Sequence, residues 1–263
     1  MLEGITIGQY VPVESPVHSL DPRFKILDSV ALLTVLFLVS TYAGFGLVAL
    51  YLAVVLVMAR LPLGMVYRGL KPLFFLIALT VILNFFMTPG TPWHRLGPLV
   101  ITREGFDRGL MMGLRLFLLV MVTSLLTLST SPIRLTDGIE RLLRPFARIG
   151  MPAHELAMMM TIALRFIPTL LEETEKIIKA QKARGADFES GNFLRRAKNM
   201  VPILVPLFLS AFRRADELAT AMEARCYRGG EGRTKLHELV ARPADVAVFV
   251  MTVAFSVLVG VFQ

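Results

Sequence analysis

Few residues in this sequence have the types and spacing that chemistry needs. The four histidines, at 18, 94, 154 and 237, are scattered. His154-Glu155 and His237-Glu238 each lack the second histidine, four residues after the first, that a zinc-binding H-E-x-x-H helix needs. No Gly-Lys dipeptide occurs, so there is no P-loop to cradle a nucleotide phosphate. No G-x-S-x-G elbow occurs either. Glu172 and Glu173 are adjacent carboxylates, but neighbours on a helix project about 100° apart. In "LEETEKIIK", Glu172 and Glu175 stand four residues before Lys176 and Lys179, the spacing of solvated ion pairs. No catalytic residue, metal ligand or cofactor site is expected, and the protein is not expected to be an enzyme.

Two basic tips are the exception. "KAQKARGADF" at 179–188 contains Ala183-Arg184-Gly185, and "TAMEARCYRG" at 220–229 contains Ala224-Arg225-Cys226. A lysine or arginine suits any helix C-terminus, and Gly185 suits a left-handed cap. Two tips in the same phase invite a further reading. A guanidinium fits carboxylates and carbonyl-rich helix ends with several donors at once, and a small neighbour lets the tip enter a groove. Two equivalent tips predict two equivalent receptors.

The elements that carry the tips are long amphipathic helices. One is predicted from about Ala153 to Ala183, about 46 Å at 1.5 Å per residue, with Pro168 as a kink site. The other is predicted from about Ile203 to Arg225, after the loop "GADFESGNF" and before "GGEG". In the first, Ile167, Leu170, Leu171, Thr174, Ile177, Ile178 and Gln181 follow the spacing of one helix face. A shift of 41 residues turns that face into Phe208, Ala211, Phe212, Ala215, Leu218, Ala219 and Met222. The same shift places Arg225 on Arg184. The run Met158, Met159, Met160 is adaptable core or a plastic docking surface. Together with Ile167, Leu171, Phe208 and Phe212, it is the candidate seat of a protein partner. A shorter amphipathic helix is expected from about Arg134 to Ile149, stopped by Gly150.

The rest of the chain is built for a membrane. It has 263 residues, 55% of them hydrophobic, which points to several spans of about 20 residues. No charged residue occurs in 29–59, 72–94, 116–133 or 246–263. Segments 72–94, 109–130 and 244–262 each fit one span. Segment 26–60 is long for one helix, and Gly44 and Gly46 in "STYAGFG" suggest a tight turn between two. Two crossings there place Arg23, Lys25 and the basic loop 60–71 on one side. Segment 131–242, with 19 Lys+Arg against 13 Asp+Glu, falls on that side too. By the positive-inside rule this side is cytoplasmic, with the N-terminus inside, the C-terminus outside and loop 88–108 external.

The expected fold is an all-α integral membrane protein: about five transmembrane helices and a coupling domain with two long crossing amphipathic helices. The expected organisation is four spans in 1–130, a cytoplasmic domain in 131–242 and a last span in 243–263. The net charge of +8 follows from membrane topology, and no nucleic-acid partner is expected. Asn84 and Arg115 are polar groups within spans. Asn84 can hydrogen-bond between helices, and Arg115 can snorkel outward. The single cysteine, Cys226, excludes an internal disulfide, and no cleavable signal is expected at the N-terminus.

Five stretches carry a family resemblance: "SLDPRFKIL" at 19–27, "ITREGFDRGL" at 101–110, "STSPIRLTDGIERLLRPF" at 129–146, "IALRFIPTLLEETEKIIKAQKARGADF" at 162–188 and "RRADELATAMEARCYRGGEGRTKL" at 213–236. They resemble the transmembrane T component of energy-coupling factor transporters. The resemblance implies a membrane scaffold in a vitamin or micronutrient importer of the ABC class. The scaffold joins two cytoplasmic ATPase subunits to a small integral membrane protein, the S component, which binds substrate. The role of the family's docking tips maps to Ala183, Arg184 and Gly185 and to Ala224, Arg225 and Cys226, where Cys226 replaces a common glycine. The tail "RGGEGRTKL" is similar to the type that serves several substrate binders rather than the dedicated cobalt or nickel type. A conventional ABC permease, binding substrate between its own spans, is the alternative.

Overall fold

The computed structural model describes residues 10–96, 99–150, 152–188, 192–229 and 239–261. The helices are α1 (Pro16–Ser19), α2 (Pro22–Leu38), α3 (Tyr42–Ala59), α4 (Leu63–Met87), α5 (Arg103–Ser129), α6 (Pro132–Leu143), α7 (Ala153–Ala183), α8 (Phe193–Ala224) and α9 (Pro243–Val261). A 3₁₀ turn follows α6 at Arg144–Ile149. One antiparallel hairpin, β1 (Pro92–Leu96) with β2 (Leu99–Thr102), joins α4 to α5. The chain is thus the expected all-α membrane protein, with a two-stranded hairpin in the segment read as loop 88–108. Among the described residues, 10–142 with 239–261 form one compact unit and 143–229 the other.

Five helical segments are long and apolar enough to cross a membrane: α3, residues 69–87 of α4, α5, α7 and α9. The membership differs from the sequence reading by one helix. α2 has 17 residues, at the short limit for a span, whereas α7 qualifies by length and is the least apolar of the five. α2 is nevertheless central to the bundle. Its Leu36 and the following Val39 are fully buried against Phe45 and Val48 of α3, Val122 of α5 and Val259 of α9. The outward faces are apolar instead: Phe74, Phe75 and Met87 of α4 and Val57 of α3 are each at least 70% exposed. That inversion suits lipid rather than water.

Local chemistry sets the helix ends. Asp21 caps α2, with Pro22 at its first position and the Arg23 N–H donating to its carboxylate. Thr41 caps α3 by accepting from the Gly44 N–H. Residues 39–41 therefore make the turn between α2 and α3, while Gly44 and Gly46 lie inside α3. This corrects the expected glycine turn, and space explains Gly44: a Cβ there would come within 2.9 Å of Val39 Cγ1. Thr102 caps α5, and its hydroxyl donates to the Thr88 carbonyl at the end of α4, 2.8 Å away. α4 and α5 then pack closely over Gly105, Gly109 and Gly113, where a Cβ would collide with Asn84 O, Phe85 or Val81. In lipid, apolar burial does not favour one helix neighbour over another, so such close approach is what holds spans together.

Other boundaries also move. α4 starts at Leu63, so most of the expected loop 60–71 is helix. α8 starts ten residues before the expected Ile203 and runs through Pro202 and Pro206. α7 has the bounds read from the sequence and continues through Pro168. Asn84 Nδ2 donates to Thr80 O within its own helix, not across helices. Arg115 does not snorkel outward. Its Nη2 donates to the Val39 carbonyl at the end of α2, 2.7 Å away, and its guanidinium lies over the Phe45 ring. A cation there suits the negative end of α2.

α9 is stitched to α2 at the bundle end where both helices begin. The buried Asp245 carboxylate accepts from the Asp21 N–H at 3.0 Å and the Arg242 N–H at 2.7 Å. Buried Lys25 donates to Ser129 O, Thr130 Oγ1 and His18 O, tying α5 and α1 to the same end.

Candidate functional site: two helix tips on an antiparallel pair

α7 and α8 form an antiparallel pair. Glu173 and Arg214 bridge them at 2.8 Å, and Gln181 Nε2 near the end of α7 donates to Pro202 O early in α8. At the other end, Met158 and Ile162 of α7 line a cavity of about 530 Å³ with Leu218, Met222, Arg225 and Tyr227. The Arg184 and Arg225 tips therefore occupy opposite ends of the pair. An antiparallel pair with corresponding ends presents the same feature twice, facing opposite ways.

The tips share one backbone geometry. At the end of α7, the Gly185 N–H donates to Lys182 O and the Ala186 N–H to Gln181 O, each at 3.0 Å. At the end of α8, the Cys226 N–H donates to Glu223 O at 2.8 Å and the Tyr227 N–H to Met222 O at 3.0 Å. Both are Schellman caps, which satisfy the last carbonyls of the helix. The left-handed position is Gly185 at φ +86° in one and Cys226 at φ +57° in the other. Cysteine thus adopts a conformation that favours glycine. Ala183, Arg184, Gly185, Ala224, Arg225 and Cys226 are all exposed, and each arginine stands at the end of a capped helix.

The two apolar stripes correspond by the same shift but differ in exposure. Ile167 is 37% exposed and Leu171 half-buried, while their counterparts Phe208 and Phe212 are 60% and 67% exposed. Met159 and Met160 are exposed and Met158 is half-buried. Of the candidate residues, the structure brings Met158 together with Arg225 and Cys226 around one cavity. The Arg184 tip lies at the far end. The Glu173–Arg214 pair was missed because its carboxylate was read as solvated. Its signal was present, since 173 and 214 are 41 apart, the same shift that relates the stripes. A pair formed by corresponding positions marks the centre of a two-fold-like crossing.

The fold and this pair define a polytopic membrane protein with exposed basic tips and apolar stripes. Residues 13–236 match the family described as CbiQ, cobalt transport protein. The chain belongs to this family. It is 57% identical over 251 residues to the energy-coupling factor transporter transmembrane protein EcfT of Thermosediminibacter oceani, covering 95% of each chain. It is 56% identical to the protein of the same name from Acidaminococcus fermentans, over 99% of this chain and 97% of the relative. It is also 56% identical to that of Heliobacterium modesticaldum, over 100% and 96%. Residues 230–238, which hold most of the tail "RGGEGRTKL", lie outside the described residues.

Proposed function

We propose that the chain is the transmembrane scaffold of an energy-coupling factor importer. It transmits the work of two ATPase subunits to a separate membrane protein that binds the vitamin or micronutrient. The observation that carries this reading is the pair of matching Schellman-capped arginine tips at opposite ends of one antiparallel helix pair. Two such tips suit the two subunits of an ATPase dimer, and the names of the relatives support the complex. The tail "RGGEGRTKL", which resembles that of the shared type, supports a scaffold that serves several substrate binders.

In this reading, Ala183, Arg184 and Gly185 dock on one ATPase, and Ala224, Arg225 and Cys226 on the other. The apolar groups Met158, Met159, Met160, Ile167, Leu171, Phe208 and Phe212 contact the S component. The scaffold binds no nucleotide or cofactor of its own and catalyses nothing. α2 to α5 and α9 cross the cell membrane, while 131–242 is the cytoplasmic coupling domain. Charge supports that assignment, because α7 is the least apolar of the five long helices and lies within the basic segment. Single cysteines at Thr91 and Asn192, in a Cys226→Ser background, should label from opposite sides of the membrane. Labelling from one side would overturn the topology.

The test of function is recovery of the tagged chain from its own cells in mild detergent. The expected result is two ATPase subunits and one small integral membrane protein. Recovery of a chain that binds the transported solute by itself would favour a conventional permease instead.

A further inference from the structure

The 41-residue shift that relates the two stripes also relates the two ends of the α7–α8 pair, and there the correspondence breaks. At the Arg225 end, Met158 and Ile162 of α7 and Leu218 and Met222 of α8 line the cavity of about 530 Å³, within the roughly 300–1,000 Å³ of ligand pockets. The corresponding residues at the Arg184 end are Asn199, Ile203, Ile177 and Gln181. Two thioethers give way to two amides, and the amides tie that end together. Asn199 Nδ2 of α8 donates to Asp187 O, just past α7, at 2.7 Å. Gln181 Nε2 of α7 donates to Pro202 O of α8. That carbonyl has no backbone donor four residues on, because Pro206 lacks an N–H. Ile203 is only 8% exposed. One end is cross-linked by polar side chains, whereas its counterpart is left open and apolar.

Charge breaks the correspondence as well. Arg228, which lines the cavity, corresponds to Asp187. The α8 tip thus carries two guanidiniums where the α7 tip carries one and a carboxylate. Arg225 and Arg228 are both exposed, and the described residues lining the cavity include no carboxylate. Cations above an apolar floor fit a segment that presents an acid beside an apolar side chain. Two methionines make that floor adaptable.

We propose that this cavity receives a second contact from the ATPase that docks on Arg225: an apolar side chain on the methionine floor, with a carboxylate beside Arg228. The inference rests on the docking role proposed above and makes the two docking sites unequal. The occupant is the ATPase because the cavity is continuous with the Arg225 tip, which lines it. The α8 tip grips its subunit at two points. The α7 tip, whose own end is cross-linked, grips at one.

The test is dilution of the complex purified from its own cells, reading the ATPase retained per tagged chain. With Arg225→Glu the α7 tip alone holds, and with Arg184→Glu the α8 tip alone. The Arg225→Glu complex should come apart at about tenfold higher protein concentration, the scale of one buried apolar side chain. Met222→Gln with Arg228→Asp copies the residues of the α7 end onto the α8 end. In the Arg184→Glu background it should bring the two complexes to parity, with the melting temperature of the free chain unchanged. Leu218→Trp, which fills the cavity, should weaken the Arg184→Glu complex likewise. Equal dissociation of the two single-tip complexes, or an Arg184→Glu complex unmoved by Met222→Gln with Arg228→Asp, overturns the inference. Retention of ATPases with both Arg184 and Arg225 reversed would instead remove the docking reading on which it rests.

Discussion

The two ends of the α7–α8 pair carry the same cap and the same arginine, yet differ in what surrounds them. At the α7 tip, glycine holds the left-handed position, and the apolar stripe leading to it is largely half-buried. At the α8 tip, cysteine holds that position, the stripe exposes Phe208 and Phe212, and the 530 Å³ cavity lies alongside. A repeated backbone feature on unequal surroundings fits two separate tasks in the proposed complex. The tips, which match, suit two copies of one receptor fold. The stripes, which do not match, suit one asymmetric partner on the α8 side.

The largest expected effect tests that division. Changing Phe208 and Phe212 together to Asp removes two exposed aromatics, each contributing about 1.5–3 kcal/mol if buried by a partner. The substrate-binding protein should be lost from the purified complex while the ATPases remain. The corresponding α7 change, Ile167→Asp with Leu171→Asp, strikes a stripe already partly used inside the pair. It should lower the melting temperature of the free chain, which the α8 change should leave nearly unaltered. Loss of ATPases first from the Phe208/Phe212 variant would contradict the separation of tasks.

A smaller effect is expected at the left-handed caps. Cys226→Gly should stabilise the last turn of α8 by about 1 kcal/mol, because a side chain at φ +57° is strained. Gly185→Ala should destabilise the α7 cap by a similar amount. Hydrogen exchange at Tyr227 and Ala186 reads the two ends separately. If both substitutions act in the same direction, the caps are not equivalent.

The smallest effect belongs to the crossing. Glu173 and Arg214 are each about 30% exposed, so their coupling in a double-mutant cycle should be under about 1 kcal/mol. The pair then sets the register of the crossing rather than its stability. Glu173→Ala should alter the angle between singly spin-labelled helices more than the melting temperature.

Much of this was legible in the sequence, for identifiable reasons. The spans show as charge-free stretches, and α7 has the expected bounds Ala153–Ala183, with Gly185 as its cap. The 41-residue shift by itself pairs the two tips. What escaped was tertiary. The first ten residues of α8 fell outside the expected helix, which in the structure continues through Pro202 and Pro206. Gly44 looked like a turn residue when it was needed for close contact with Val39. Arg115 was read as reaching for water, whereas the end of α2 lay nearer. The left-handed Cys226 was not predictable from residue type, since cysteine has no preference for that conformation.

The central claim is that the basic tip occurs twice because it serves two ATPases, and it is tested most directly by charge reversal at both ends. A guanidinium held in a groove by charge-assisted hydrogen bonds contributes about 1.5–3 kcal/mol. Arg184→Glu or Arg225→Glu alone should impair uptake with the complex still assembled through the other tip. The double variant should lose both ATPases on co-purification while the chain itself remains folded in the membrane. Stoichiometric ATPases and normal uptake in the double variant would show that the arginines only complete their helices, and would contradict the account.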